Sequence, residues 1–258
     1  LPYPPFGHTP VGPFIELQTI DSTNNYALTQ IHAGLAQHGM AIFAHEQTGG
    51  KGQRGRNWAS PNQGNIALSI LLKPAPLGLL QQFGLSVCAA VATFHFFEKY
   101  AGEDTRIKWP NDLYWKDRKA GGILIENVVR SQALGTAKWE WAVVGIGINI
   151  NQAQFSPDLV NPVSLRQITG QTYDPVELAR QLHGFVEYYF HLLITKGFDH
   201  TLSIYLSHFY KKEEKVRLRK DNRVFEAIIK GVTADGKLLV EHAVEEQFDL
   251  GEIQWVIG

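Results

Sequence analysis

The pattern of apolar and polar positions changes period several times along this chain, and each change predicts an element. Phe14 to Thr19 alternates as a half-buried strand does, and Asp21-Ser22-Thr23-Asn24 supplies helix-capping side chains ahead of an amphipathic stretch to about Ala36. Two continuous apolar runs, Ala41 to Ala44 and Ile66 to Leu72, read as buried strands. Leu79 to Tyr100 is apolar on most sides at helical period and predicts a core helix, which makes His95 a buried structural histidine rather than a ligand. Two short β-type runs flank Pro110-Asn111-Asp112, a second turn is expected over 116–119, and Ala120-Gly121-Gly122 leads into a strand at Ile123 to Ile125. Val143 to Asn151 predicts another buried strand, in which Gly145, Gly147 and Asn149 share one face and leave room there for something other than side chains.

The second half divides similarly. Polar, proline-bearing residues between Gln152 and Thr172 predict a loop. Asp174-Pro175-Val176-Glu177 opens a helix with an acid at the N-cap and a proline at the first helical position, and apolar residues at 178, 182, 185, 189 and 192 continue it. A shorter helix over about His200 to Tyr210 ends in Lys211-Lys212-Glu213-Glu214, a solvated run suited to a domain boundary. Beyond it, four short strands, Val216 to Arg219, Val224 to Gly231, Leu238 to His242 and Gln247 to Ile253, with turns at Asp221-Asn222 and Asp235-Gly236, predict a small antiparallel barrel. The first 13 residues, rich in proline and glycine, are expected to form an extended arm.

Composition narrows the function classes. The chain has 258 residues, with 24 Lys plus Arg against 25 Asp plus Glu, so it carries no overall basic field for holding a nucleic acid backbone. A single cysteine, Cys88, rules out an intramolecular disulfide and a multi-cysteine zinc site. There is no run of 18 or more apolar residues and no basic-then-apolar signal segment, so a cytoplasmic protein with no membrane partner is expected.

The chemistry concentrates between Glu46 and Trp58. This stretch holds four glycines with Lys51, Arg54 and Arg56, a composition that turns backbone N–H groups and cationic side chains toward an anion. Gly50 to Gly55 also fits the G-x-G-x-x-G dinucleotide fingerprint, but turn-forming residues follow where a helix should open, and no acidic residue occurs between Glu46 and Glu98 to hold a ribose. A dinucleotide-dependent oxidoreductase is therefore disfavoured, and a small-anion loop remains.

Four stretches occur in one order: Glu46-Gln47-Thr48 with Gly50 to Trp58, Lys108-Trp109-Pro110-Asn111-Asp112, Lys119-Ala120-Gly121-Gly122-Ile123-Leu124, and Gly145-Ile146-Gly147-Ile148-Asn149. Together they resemble the biotin protein ligases. The resemblance implies an α+β fold: a class II synthetase-like catalytic domain of mixed sheet and helices over 1–210, then a small SH3-like β-barrel over 211–258. It implies that ATP and biotin, with Mg²⁺, give biotinyl-5'-AMP and pyrophosphate, and that biotin then passes to one lysine of a biotin carboxyl carrier protein. Ser22, Thr23 and Gln47 would bind the ureido head of biotin, with Lys51 nearby and the Gly121-Gly122 strand against the ring. Gly50, Gly52, Gln53, Arg54, Gly55 and Arg56 would fold over the adenylate, Trp58 would stack on adenine, and Asn111 and Asn149 would lie around the phosphate and ribose. Lys119 would contact both the biotin carboxylate and the α-phosphate, Asp112 would position the incoming lysine, and Arg54 would complete the catalytic group. Where the family often carries arginine, this chain has Lys51 and Gln53.

With about 13 residues ahead of Phe14, the resemblance is to the form without the family's N-terminal DNA-binding domain, so no DNA partner is expected; a homodimer is compatible with it. The nearest alternative is a lipoate or octanoate protein ligase of related fold. A non-enzymatic regulator that binds biotinyl-adenylate or nucleic acid finds no support in the charge pattern.

Overall fold

The computed structural model describes residues 12–58, 64–131 and 137–256, and the expected N-terminal arm lies almost wholly outside them. The described chain opens with β1 (Phe14–Ile20), α1 (Thr23–His32), β2 (Ala41–Gln47) and β3 (Asn65–Leu72). It continues through α2 (Gln82–Ala101), β4 (Thr105–Lys108), β5 (Asp112–Trp115), β6 (Arg118–Ser131) and β7 (Ala137–Asn149). Three helices follow: α3 (Leu165–Thr169), α4 (Pro175–Lys196) and α5 (Phe198–Ser207).

The seven strands form one mixed sheet in the order β1-β2-β3-β7-β6-β5-β4. The crossover through α1 makes β1 and β2 parallel, and every other neighbouring pair is antiparallel. Helices α2 and α4 cover one face, where Phe94, Phe96 and Phe97 pack with Val144, Ile146 and Ile148 of β7 in the main core. Burying each large apolar side chain there contributes about 1.5–3 kcal/mol. Helix α1 covers part of the other face through a smaller cluster of Ala27, Met40, Ile42, Leu71 and Val143. Cys88 is fully buried in the main core, and burial pushes its thiol far above the usual range, so it is an inert packing residue.

Within Leu79–Ala101 an 18-residue stretch reaches a mean hydropathy of 1.3, long and apolar enough to cross a membrane, but 67% of that stretch is buried inside the fold, against α4, α5 and the sheet. It is a core helix.

Local signals explain where the elements start. Asp174 accepts from the backbone N–H groups of Val176 and Glu177, as its N-cap position predicts. Ser164 and Gln167 form a reciprocal capping box that starts α3 inside the stretch expected to be loop, and Gly170 closes it in the left-handed region. The turn expected over 116–119 is shorter than predicted. Residues Arg118 to Gly122 already belong to β6, and the segment 161–163 pins them, with Lys119 N–H donating to Asn161 O (2.7 Å) and Val163 N–H to Lys119 O (2.9 Å).

Beyond α5 come β8 (Lys215–Lys220), β9 (Arg223–Val232), β10 (Leu238–Glu241), β11 (Glu245–Phe248) and β12 (Gln254–Trp255). They form an open sheet in the order β11-β10-β9-β8-β12, which corrects the expected SH3-like barrel. The run from Gln247 to Ile253 is not one strand. It contains the end of β11 and a turn with Gly251 at φ +93°, and the two-residue β12 after it pairs with β8 alone. Strands β11 and β12 therefore stay at opposite edges, and the fold is a mixed α+β part with a separate small C-terminal β-sheet.

Candidate active site

Strand β7 sends Val144, Ile146 and Ile148 into the main core and Gly145, Gly147 and Asn149 to the other face. Side chains occupy the room that the two glycines leave. A Cβ on Gly145 would fall 2.4 Å from Asn24 Oδ1, and one on Gly147 would fall 2.4 Å from Cε2 of the Trp58 indole. This face is thus built for close approach, with Asn24 of α1 and Trp58 of the glycine-rich loop seated directly on the strand.

A chain of polar groups runs beneath α1. Gln47 Oε1, at the end of β2, accepts from Thr23 N–H (2.8 Å) and lies 3.1 Å from the Thr23 hydroxyl. The Ser69 hydroxyl on β3 lies 2.7 Å from Thr23 Oγ1 and 2.6 Å from Asn24 Oδ1. Asn24 Nδ2 donates to Glu126 Oε2 of β6 at 2.7 Å. Ser22, Thr23, Asn24 and Ser69 are all buried. Ser22 is the N-cap of α1 but makes no side-chain capping bond, so the simple capping reading does not account for its hydroxyl.

The loop after β2 closes on itself. Trp58 N–H donates to Gly50 O (2.9 Å), Gly52 N–H donates to Arg56 O (2.7 Å), and a 3₁₀ turn over Gln53–Gly55 forms the tip with Arg54 at φ 59°. Lys51 Nζ reaches back to Asn25 Oδ1 at 2.6 Å, while Arg54 Nη1 donates to Gly251 O of the C-terminal sheet at 3.3 Å. Gln53 lines a cavity of about 270 Å³ between this tip, the Trp109-Pro110-Asn111 turn, the start of α2 and the C-terminal residues Asp235, Gly236 and Leu250. The Trp58 indole N–H is buried and has no hydrogen-bond partner among the described residues.

Lys119 and Asp112 meet at 2.6 Å, with side chains 32% and 16% exposed. A Cβ on Gly122 would stand 3.5 Å from Lys119 Nζ and 3.6 Å from Asp112 Oδ1, so the pair sits over that glycine. Gly122 is in turn the β7 register partner of Gly147, on which Trp58 lies. The missing Cβ of Gly121 points instead at Gly147 O, 2.7 Å away. Asn111 donates its amide to Ile123 O and Asn149 donates to Val163 O (3.1 Å), so both amides hold backbone around Lys119 and Asp112.

Lys119, Asp112, Gly122 and Trp58 thus converge, and Thr23 and Gln47 meet at the root of the loop. Arg54 does not join the Lys119–Asp112 pair, because its guanidinium reaches the C-terminal sheet. Reading the sequence for motifs left out Lys108 as a site residue. It is 7% exposed, lies opposite Asp112 in the β4–β5 pairing, and has its ammonium 5.0 and 5.1 Å from the ring centres of Tyr114 and Trp255. Burial lowers its pKa to about 8, with the Asp112 charge partly opposing that shift. Asn24, Ser69 and Glu126 were also left out, although Glu126 is the single acid of β6 and follows the apolar run Ile123 to Ile125.

The profile of the Biotin/lipoate A/B protein ligase family matches residues 16–149, just over half of the chain, and that of the Biotin protein ligase C terminal domain matches 213–256. The bifunctional ligase/repressor BirA of Salmonella typhimurium is 33% identical over 233 residues, covering 87% of this chain and 68% of the relative. The biotin–[acetyl-CoA-carboxylase] ligase of Paracoccus denitrificans is 32% identical over 231 residues, covering 87% of this chain and 92% of the relative. The solved structure of the biotin protein ligase from Aquifex aeolicus in complex with biotin and ATP shares the fold, with a TM-score of 0.77 at 23% identity over 95% of this chain and 99% of that one. From the family match over these strands and loop, together with the coverage of these relatives, it follows that the chain belongs to the biotin/lipoate A/B protein ligase family, among its biotin protein ligases.

Proposed function

We propose that this chain is an ATP-dependent biotin protein ligase that activates biotin as biotinyl-5'-AMP and transfers it to a lysine of a biotin carboxyl carrier protein. The observation that carries the reading is the Lys119–Asp112 pair over Gly122, on the same sheet as the Thr23–Gln47 polar end and under the loop that seats Trp58 on Gly147. In the first step a biotin carboxylate oxygen attacks the α-phosphorus of ATP, and the bond to the β-phosphate bridging oxygen breaks to release pyrophosphate. Two anions must come together, and the Lys119 ammonium offsets their repulsion and stabilises charge developing at phosphorus. In the second step the acceptor amine attacks the acyl carbon, AMP leaves, and the amine gives up a proton. Asp112, beside Lys119, is placed to orient that amine.

In this reading the loop closes over the adenylate and excludes water from an anhydride that hydrolyses readily. Trp58 offers a stacking face and an unpartnered N–H. Among the described residues no group of three or more His, Cys, Asp or Glu could hold a metal ion, and the Mg²⁺ of this reading would enter with ATP, carried by its triphosphate. When bound, that ion supplies positive charge at the phosphates. The domain boundary is proposed near 210/211, where the helices give way to the C-terminal sheet, and the proposed setting is the cytoplasm. The polar Thr23–Gln47 end favours biotin over lipoate or octanoate, whose ends carry no N–H.

Incubating the protein with ATP, Mg²⁺, biotin and an apo carrier domain, followed by streptavidin detection, tests the reading. Biotin on the carrier lysine is expected; an unlabelled carrier, with lipoyl transfer in a parallel reaction, would overturn it.

A further inference from the structure

The polar chain from Glu126 to Gln47 is a different set of hydrogen bonds from the Lys119–Asp112 pair, and Glu126, Asn24 and Ser69 take no step in adenylation. Asn24 and Thr23 are each 4% exposed and Ser69 is 0% exposed. Buried polar groups at this depth are costly unless they are paired, and their pairing fixes which way each proton points.

The directions follow from what each group can donate. Asn24 gives an N–H to Glu126 Oε2 and turns its carbonyl toward Ser69. Ser69 has one proton, and the amide oxygen 2.6 Å away can only accept it. The 2.7 Å contact between the Ser69 and Thr23 hydroxyls then needs the Thr23 proton, in preference to the longer 3.1 Å contact of Thr23 with Gln47 Oε1. Thr23 is left with its oxygen lone pairs as acceptors. Gln47, whose Oε1 receives the Thr23 N–H, is left with Nε2 as a donor.

We propose that Glu126, acting through Asn24 and Ser69, fixes Thr23 as an acceptor beside the Gln47 donor, so that this polar end of the site selects a cyclic urea over an apolar acyl end. Resting on the biotin reading above, the assignment makes Glu126, Asn24 and Ser69 positioning residues for substrate specificity. A urea N–H donates to Thr23 Oγ1 while its carbonyl accepts from Gln47 Nε2. An alkyl or dithiolane end has no N–H to give and would bury the Thr23 lone pairs unpaired.

Calorimetric titration of biotin, desthiobiotin, octanoate and ATP into the wild type and into Ser69→Ala, Glu126→Leu and Glu126→Gln tests this. Ser69→Ala and Glu126→Leu are expected to weaken both ureido acids about 10- to 100-fold and to leave ATP and the residual octanoate affinity within about twofold. Glu126→Gln keeps a carbonyl that accepts from Asn24 and is expected to stay within about threefold of wild type for biotin. Should Glu126→Leu not fold, Ser69→Ala carries the same expectation, since it removes a single oxygen. Unchanged biotin affinity in Ser69→Ala, or a loss shared equally by octanoate or ATP, would overturn the proposal while leaving the ligase reading intact. A wild type that binds octanoate and not biotin would overturn both.

Discussion

On β7 adjacent residues face two different environments. Val144, Ile146 and Ile148 belong to the same buried apolar core as the phenylalanines of α2, whereas Gly145, Gly147 and Asn149 meet Asn24, the Trp58 indole and the backbone around Lys119. One face fills its volume with side chains of the strand itself. The other gives up its own side chains so that groups from α1 and the loop can lie on the backbone. Stability and chemistry are thereby separated across the thickness of one sheet, and substitutions on the two faces should report on different quantities.

The largest effect expected on the site face is from Lys119→Ala, which removes the charge held 2.6 Å from Asp112 and should lower adenylation roughly 10²- to 10³-fold. Near-wild-type pyrophosphate release from that variant would end the assignment. On the core face His95 gives the next. It stacks on Tyr189 at 5.4 Å, and burial, reinforced by neighbouring His208, lowers its pKa to about 4. A neutral folded form means that His95 costs nothing above the unfolded value near 6.5, and that stability is lost as pH falls from there toward 4, by about 2 kcal/mol at pH 5. Melting curves between pH 7 and 4.5 should show this loss, and His95→Phe should flatten it; an unchanged slope would count against the buried neutral histidine.

Trp58→Ala comes third. Stacking of a base on an aromatic ring is worth about 1–3 kcal/mol, so the apparent ATP constant should rise about 10-fold with little change for biotin. Equal changes for both substrates would mean that the indole merely braces Gly147. The smallest effect sharpens the comparison most. Ile146→Val, adjacent to both site glycines but pointing into the other layer, should cost about 0.5–1.5 kcal/mol of stability and leave both substrate constants unchanged.

Much of the core face was legible in the sequence because local period and caps specify it. The Asp174-Pro175 start of α4 and the apolar run of α2 each carry their signal within a few residues. The site face was legible only as motif. Its glycines were seen as space, but what fills the space comes from residues over 80 positions away in sequence, Asn24 and Trp58, and no local pattern encodes that contact. The Asn24–Glu126 bond spans 102 positions and was missed for the same reason. The capping box of α3 was a local signal that was overlooked. The C-terminal barrel failed on a different ground. The presence of strands is a local property, but closure requires the first and last edges to pair, and a two-residue β12 on β8 leaves β11 at the far edge. Arg54 sits at the loop tip with φ 59° and donates to Gly251 O, 197 positions away in sequence, a contact that the motif around it does not encode.

The most direct measurement is pyrophosphate release from ATP and Mg²⁺ without any carrier, compared for biotin, lipoate, octanoate and no acid. Release with biotin alone is the predicted result. Release with lipoate or octanoate and not with biotin, or no release with any acid, would contradict the account.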